Sequence, residues 1–94
     1  MDQHSNAMIH EMVEFVRTER DVDLMNRNRD AEIVISRAAL FNVCRGFYTA
    51  STLAKYFGMN HATILHHQKN HESLILIAYY KSLCLSLSEI RRRY

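Results

Sequence analysis

Apolar residues recur at intervals of three and four along most of this chain, which is the spacing of one face of an α-helix. The clearest case is the segment 6–18, where the apolar residues fall on one stripe and most charged residues fall outside it. The predicted helices cover residues 6–18, 31–47, a short segment closed by Gly58, 61–70 and 72–92. The pattern therefore predicts an all-α fold of about five to six helices.

Polar, turn-forming residues separate the predicted helices. Residues 21–25 fit a short helix or a turn, and residues 26–30 fit a loop, because asparagine and aspartate favour turns. Gly46 predicts the end of the second helix, and Gly58 predicts the end of the short one. Candidate N-cap residues are Ser5 or Asn6 for the first helix and Thr49 or Ser51 for the short helix.

Length and composition narrow the class of protein. The chain of 94 residues fits one domain, 1–94, since single cores extend to roughly 100–150 residues. Two glycines and no proline exclude a glycine-rich phosphate loop and the many turns of a β-sandwich. We therefore expect no nucleotide and no cofactor. No paired carboxylates or nucleophile–base arrangement can be assembled, so we do not expect an enzyme.

Charge, cysteines and hydropathy point to a cytoplasmic protein. The formal net charge of +2 is mildly basic, so a DNA interpretation depends on where the charges lie. Cys44 and Cys84 lie in apolar helical runs, and the chain begins without a secretory leader. We interpret them as buried thiols in a reducing compartment. The apolar run 74–80 is far shorter than the roughly 20 residues that cross a bilayer, so no membrane contact is expected.

Residues 50–70 have the layout of a helix-turn-helix unit. Such a unit needs a small residue in its first helix and a glycine in its turn, and Ala54 and Gly58 fit these positions. The apolar anchors are Leu53, Phe57, Met59 and Ile64. The start of the second helix, which can enter a DNA major groove, carries Asn60, His61, Ala62 and Thr63. Amide, imidazole, hydroxyl and methyl groups suit contacts with base edges.

The most specific motif is the order Phe-Gly followed by His-Ala-Thr-Ile-Leu-His at residues 61–66. It resembles the signature of the C-terminal DNA-binding domain of DnaA, the bacterial replication initiator, which reads roughly I-G-x-x-F-G and then D-H-[TA]-T-V-L-H-A. Residues 33–45 are similar to the helix that opens the basic half of that domain, and residues 22–29 to its V-x-D-L-L-S-K-R-R loop. The resemblance covers about residues 8–74. It implies a Trp-repressor-like helix-turn-helix fold that binds double-stranded DNA.

The resemblance also implies a division between backbone contacts and base contacts. Arg29 matches an arginine that enters the minor groove, and Arg27 lies beside it in the same loop. Backbone contacts are implied for Arg37, Arg45, Thr49 and Ser51. From the second helix of the unit, the predicted DNA-binding residues are Asn60, His61, Ala62, Thr63, His67 and Lys69.

The chain departs from the family just before the histidine. The family usually has Gly-Arg-Asp there, whereas this sequence has Met59-Asn60 and is one residue shorter. The aspartate that helps to fix base preference is replaced at best by Asn60, so the target sequence is left open. The 94 residues hold no ATPase module. The expected function is that of a stand-alone regulator or replication accessory, encoded by a phage or a mobile element.

Two further interpretations stay open. The missing aspartate and the modest charge also fit a protein-interaction module of the same fold without DNA affinity, for example one that binds a host replication initiator. The apolar helix within residues 74–90 is either core or the contact surface of a homodimer. No metal is expected, because the histidines have no carboxylate or cysteine partner at ligand spacing.

Overall fold

A computed structural model describes residues 5–26, 30–75 and 77–94 of the chain. Throughout these three stretches, all regular secondary structure is helical, which confirms the all-α prediction. The helices in chain order are α1 (Ala7–Arg20), α2 (Ala31–Val43), α3 (Ala50–Phe57), α4 (His61–Lys69), α5 (His71–Leu74) and α6 (Ala78–Arg91).

Helix α2 lies at the centre of the fold. It packs against α4, α5 and α6, while α1 packs against α6 and α3 packs against α4. Most of α2 is buried because its sequence is nearly continuously apolar, whereas α1 is amphipathic and buries one stripe. The largest fully buried side chains are Tyr80, Phe41, Met8, Ile9, Met12, Leu24, Leu40, Leu53, Ile64, Leu83, Leu87 and Val16.

The first connection forms a turn rather than a short helix. Leu24 and Met25 lie in this turn, and the backbone N–H of Met25 donates to the Asp23 carboxylate at 2.9 Å. This local bond is the reason that aspartate favours turns over helices. At the start of α1, Asn6 occupies the N-cap position without a side-chain cap bond. The N–H of Ala7 instead donates to the Ser5 hydroxyl at 3.4 Å.

Helix α2 ends at Val43, four residues before the predicted end at 47. The carbonyl of Cys44 accepts from the N–H groups of both Phe47 and Tyr48, at 2.9 and 3.0 Å, which closes a tight turn. Gly46 lies inside this turn with φ of 83°, a conformation that glycine adopts without steric cost. The prediction that Gly46 ends the helix is therefore wrong by three residues.

The predicted single helix over 72–92 is two helices, α5 and α6. Ile77 has an extended backbone, with φ of −83° and ψ of 118°, and separates them. The ring Nδ1 of His71 lies 2.6 Å from the Tyr80 hydroxyl. Nine residues of a continuous helix would separate these residues by about 13.5 Å along the axis. The break therefore lets α5 pack on α2 while the Tyr80 ring enters the core.

Both cysteines are free thiols. Cys44 is buried, and its Sγ lies 3.7 Å from the Met12 sulfur. Burial raises the pKa of the Cys44 thiol to about 12. Cys84 is only half-buried, so the prediction of a buried thiol is correct in full for Cys44 alone. A thiol with so high a pKa stays protonated near neutral pH and acts as a small apolar core residue.

Candidate nucleic-acid interface

Local side-chain bonds define the helix–turn–helix unit formed by α3 and α4. The Thr49 hydroxyl accepts from the N–H of Thr52 at 3.1 Å and caps α3. Gly58 ends α3 in the left-handed region with φ of 65°, and the Asn60 side chain accepts from the N–H of Ala62 at 2.8 Å and caps α4. The predicted boundaries at Thr49, Gly58 and His61 are therefore confirmed. Each follows from a residue type whose local chemistry favours a helix end.

Contacts with α2 fix the orientation of α4. The Phe41 ring packs edge-on against the rings of Phe57 and His67, with centroids 5.3 and 5.4 Å away. The side-chain amide of Gln68 donates to the Phe41 carbonyl at 3.0 Å. Ile64 is fully buried on the same face of α4. The opposite face of α4 is thereby turned to solvent.

The exposed face of α4 carries two histidines and a lysine together with two apolar side chains. Its exposed residues are His61, Ala62, Leu65, His66 and Lys69. Imidazole and ammonium groups can contact base edges and phosphates, and the methyl groups can contact a thymine methyl. The arrangement therefore presents nucleic-acid-compatible chemistry on the outer side of the unit.

Most residues predicted from the sequence as DNA contacts lie at the surface. The exposed ones are Arg45, Thr49, Ser51, Asn60, His61, Ala62 and Lys69, and Thr63 is half-buried. The Asn60 side chain is engaged in capping α4, so its carbonyl oxygen already has a partner in the protein. Arg27 and Arg29 lie outside the described residues, and their roles stay predictions.

Arg37 lies in a different environment from the one that a phosphate contact requires. Its residue surface is only 7% exposed. Its Nε donates to the Leu24 carbonyl at 3.0 Å, and its Nη2 donates to the Asn26 carbonyl. The guanidinium thus fixes the turn that leads into residues 26–30. This position favours a structural role for Arg37 over the predicted phosphate contact.

Replacing Arg37 by alanine is expected to lower the free energy of unfolding by about 1–3 kcal/mol, because the buried carbonyl of Leu24 loses its donor. Urea denaturation of the two proteins measures this loss. The salt dependence of any DNA binding is expected to stay the same. A fall of about one in the slope of log K against log salt, without a loss of stability, would instead identify Arg37 as a phosphate contact.

The neighbouring histidines His66 and His67 differ in exposure. His66 is exposed, whereas His67 is half-buried against Phe41. From the sequence, His67 is predicted to contact DNA, whereas for His66 a structural role and a DNA contact both stay open. Desolvation lowers the pKa of His67, and the nearby His66 and Arg37 lower it further. His67 is therefore a packed neutral imidazole that supports α4.

The lowered pKa of His67 predicts a loss of stability in mild acid. The unfolded chain takes up the His67 proton near pH 6.5, while the folded chain resists protonation, so stability falls as the pH drops below that value. Denaturation at pH 7.5 and 5.5 should show this loss in the parent protein. In His67→Phe, which keeps a ring against Phe41, the difference between the two pH values should be smaller. An equal difference in both proteins contradicts the assignment to His67.

A cleft of about 540 Å³ separates the first turn from the helix–turn–helix unit. Its walls include Met25, Arg37, Gly58, Thr63 and His66. Met25 of the first turn lies on one side of the cleft, and Thr63 and His66 of α4 lie on the other. The structure thus brings the first turn close to the predicted recognition helix, although they are far apart in the sequence.

The acidic residues lie outside the part of the sequence that contains α3 and α4. No aspartate or glutamate occurs between residues 33 and 71, whereas this segment holds Arg37, Arg45, Lys55 and Lys69. On α1 and just after α6, by contrast, arginines form salt bridges with glutamates: Arg17 with Glu14, Arg92 with Glu89 and Arg93 with Glu11. Arg45 and Lys69 form no salt bridge within the described chain. The net charge of the whole chain is therefore small although the segment 33–71 is basic, and counting the charges along the sequence reveals this.

Comparisons with protein-family models, with curated proteins and with solved structures give no match. The similarity to the DnaA domain therefore depends on the sequence motif alone. Among the described residues, no group of three His, Cys, Asp or Glu side chains is placed to hold a metal ion. None of the helices in the described stretches has both the length and the apolar character to cross a membrane.

Proposed function

We propose that this chain binds double-stranded DNA sequence-specifically, with the N-terminal half of α4 in the major groove. The observation that carries the proposal is the exposed face of α4, with His61, His66 and Lys69, on a capped helix–turn–helix unit. The absence of carboxylates from residues 33–71 supports it, because phosphates are repelled by acidic groups. The resemblance of residues 61–66 to the DnaA signature adds to this support.

In this proposal, backbone contacts and base contacts come from different residues. Arg45 follows α2 and, together with Thr49 and Ser51 at the start of α3, faces the phosphates. His61 and Thr63 contact bases, and Arg27 and Arg29 enter the adjacent minor groove. In this proposal, the chain acts by occupying its site, as a regulator or a replication accessory. DNA as the ligand also implies a cytoplasmic location.

Selection from a random duplex library, followed by binding titrations at several salt concentrations, tests the proposal. We expect enrichment of one sequence and a linear fall of log K with log salt. Arg45→Gln should weaken binding to all duplexes similarly and reduce the salt slope by about one. The matched control is Arg17→Gln, because Arg17 is exposed on α1 and paired with Glu14 at 2.6 Å. This control should leave both quantities unchanged.

The absence of salt-dependent binding to any duplex would overturn the proposal. The function would then be the one left open by the sequence, a protein-interaction module of the same fold, for example for a host replication initiator. If Arg45→Gln and Arg17→Gln change the affinity and the salt slope equally, the chain still binds DNA, but not through the assigned surface. The two failures are therefore distinguishable in one set of titrations.

A further inference from the structure

The outward face of α6 presents an apolar side chain between two opposite charges. Leu85 is 64% exposed, more than any other large apolar side chain among the described residues. Lys81 precedes it by four residues, Glu89 follows it by four, and both are exposed. Residues at this spacing lie on the same side of a helix. The face thus has a cation towards its N-terminal end, leucine in the middle and an anion towards its C-terminal end.

We propose that this face is the contact surface between two copies of the chain, with the two α6 helices antiparallel about a two-fold axis at Leu85. A two-fold contact brings the same patch of both copies together. Each Leu85 then covers the other, and Lys81 of one copy faces Glu89 of the other. A parallel pair would instead place Lys81 against Lys81 and Glu89 against Glu89. The charges therefore select the antiparallel arrangement.

The rest of α6 is compatible with a close approach of two helices. Ala78 lies on the same side as Leu85 and is exposed, and Ser88 is half-buried. The Ser82 hydroxyl accepts from the Arg20 guanidinium at 3.0 Å, so the small side chains that let two backbones come near each other are those of Ala78 and Ser88. Within its own chain, Glu89 pairs with Arg92 at 2.9 Å, but both side chains are mostly exposed, at 64% and 75%. Such a pair contributes little and competes weakly with an intermolecular one.

This contact surface is separate from the proposed DNA surface. Helix α6 packs on α2 and α1, whereas α4 packs on α2, α3 and α5. The inference concerns the free protein and does not depend on DNA binding. The sequence left open a homodimer formed through the apolar helix within residues 74–90. The inference specifies how the two helices align in that homodimer.

Sedimentation equilibrium of the full chain without DNA, over a range of concentrations, tests the inference. The parent protein should show a monomer–dimer equilibrium, and Leu85→Glu should be monomeric at the same concentrations. The charge-reversal variants Lys81→Glu and Glu89→Lys should each weaken the dimer by about tenfold or more, because each creates two repulsive pairs. The double variant Lys81→Glu/Glu89→Lys should restore it. Leu65→Glu, which alters an exposed leucine on α4, should dimerise like the parent.

Circular dichroism of every variant confirms that the helices are intact, which separates a lost contact from a lost fold. A parent protein that stays monomeric at all concentrations overturns the inference. A dimer that survives Leu85→Glu shows that another surface associates and overturns it as well. Failure of the double charge reversal to restore the dimer rejects the antiparallel register.

Discussion

Replacing Phe41 by alanine is expected to lower the free energy of unfolding by about 3–5 kcal/mol, the usual cost of removing a buried phenyl group. Phe41 is fully buried and contacts both helices of the helix–turn–helix unit, through the rings of Phe57 and His67. A domain of this size is stable by roughly 5–14 kcal/mol. This one substitution therefore removes a large part of the total free energy of unfolding. Urea denaturation of the two proteins measures the loss directly.

The loss of stability in Phe41→Ala should be greatest in α3 and α4, which contact Phe41 of α2. Amide hydrogen exchange is expected to show lower protection in these two helices than in α1, because α1 packs against α6 instead. Leu65→Ala is the control, since Leu65 is 41% exposed on α4. It should change stability by no more than about 0.5 kcal/mol. A loss below about 1 kcal/mol in Phe41→Ala would show that Phe41 does not hold the unit to the core.

Helix ends that depend on local chemistry were predictable from the sequence. Thr49, Gly58 and Asn60 each satisfy or terminate a helix end through bonds within a few residues, and such signals are visible in the chain. The break at Ile77 has no such signal, because no glycine or proline lies near it. It results from tertiary contacts, namely the packing of α5 on α2 and the bond between His71 and Tyr80.

The sequence predicts the exposure of a site residue well when that exposure depends only on the residue's position on one helix. It predicts the role of a residue less well when contacts with distant parts of the chain decide that role. His61 and Lys69 are exposed on α4 as the helix pattern indicates. Burial of Arg37 depends on carbonyl groups of residues 24 and 26, more than ten positions earlier. The spacing on α4 carries a signal for the exposure of the adjacent histidines that the prediction of His67 as a DNA contact did not use. Residue 67 follows the buried Ile64 by three positions and lies on its face, whereas residue 66 follows it by two.

Replacing His61 by alanine is expected to weaken binding to the selected DNA sequence by about 1–3 kcal/mol and to relax the preference at the base it contacts. His61 is the first residue of α4 and is exposed, so its loss leaves the packing on Phe41 intact. Binding to unrelated duplexes should change little, because those complexes depend on phosphate contacts. Selection with the variant, followed by titration at constant salt, measures both effects.

The control histidine is His10, which is also exposed and lies on α1, and His10→Ala should bind like the parent. Lys69→Ala is the contrasting variant, because it removes a charge and should weaken all duplexes alike while reducing the salt slope by about one. If His61→Ala behaves like Lys69→Ala, the imidazole contacts the backbone and base selection lies elsewhere on α4 or in the loop. If it behaves like His10→Ala, the start of α4 does not enter the groove. Only a loss confined to the selected sequence assigns base recognition to His61, since a contact with a base edge is the one interaction that unrelated sequences lack.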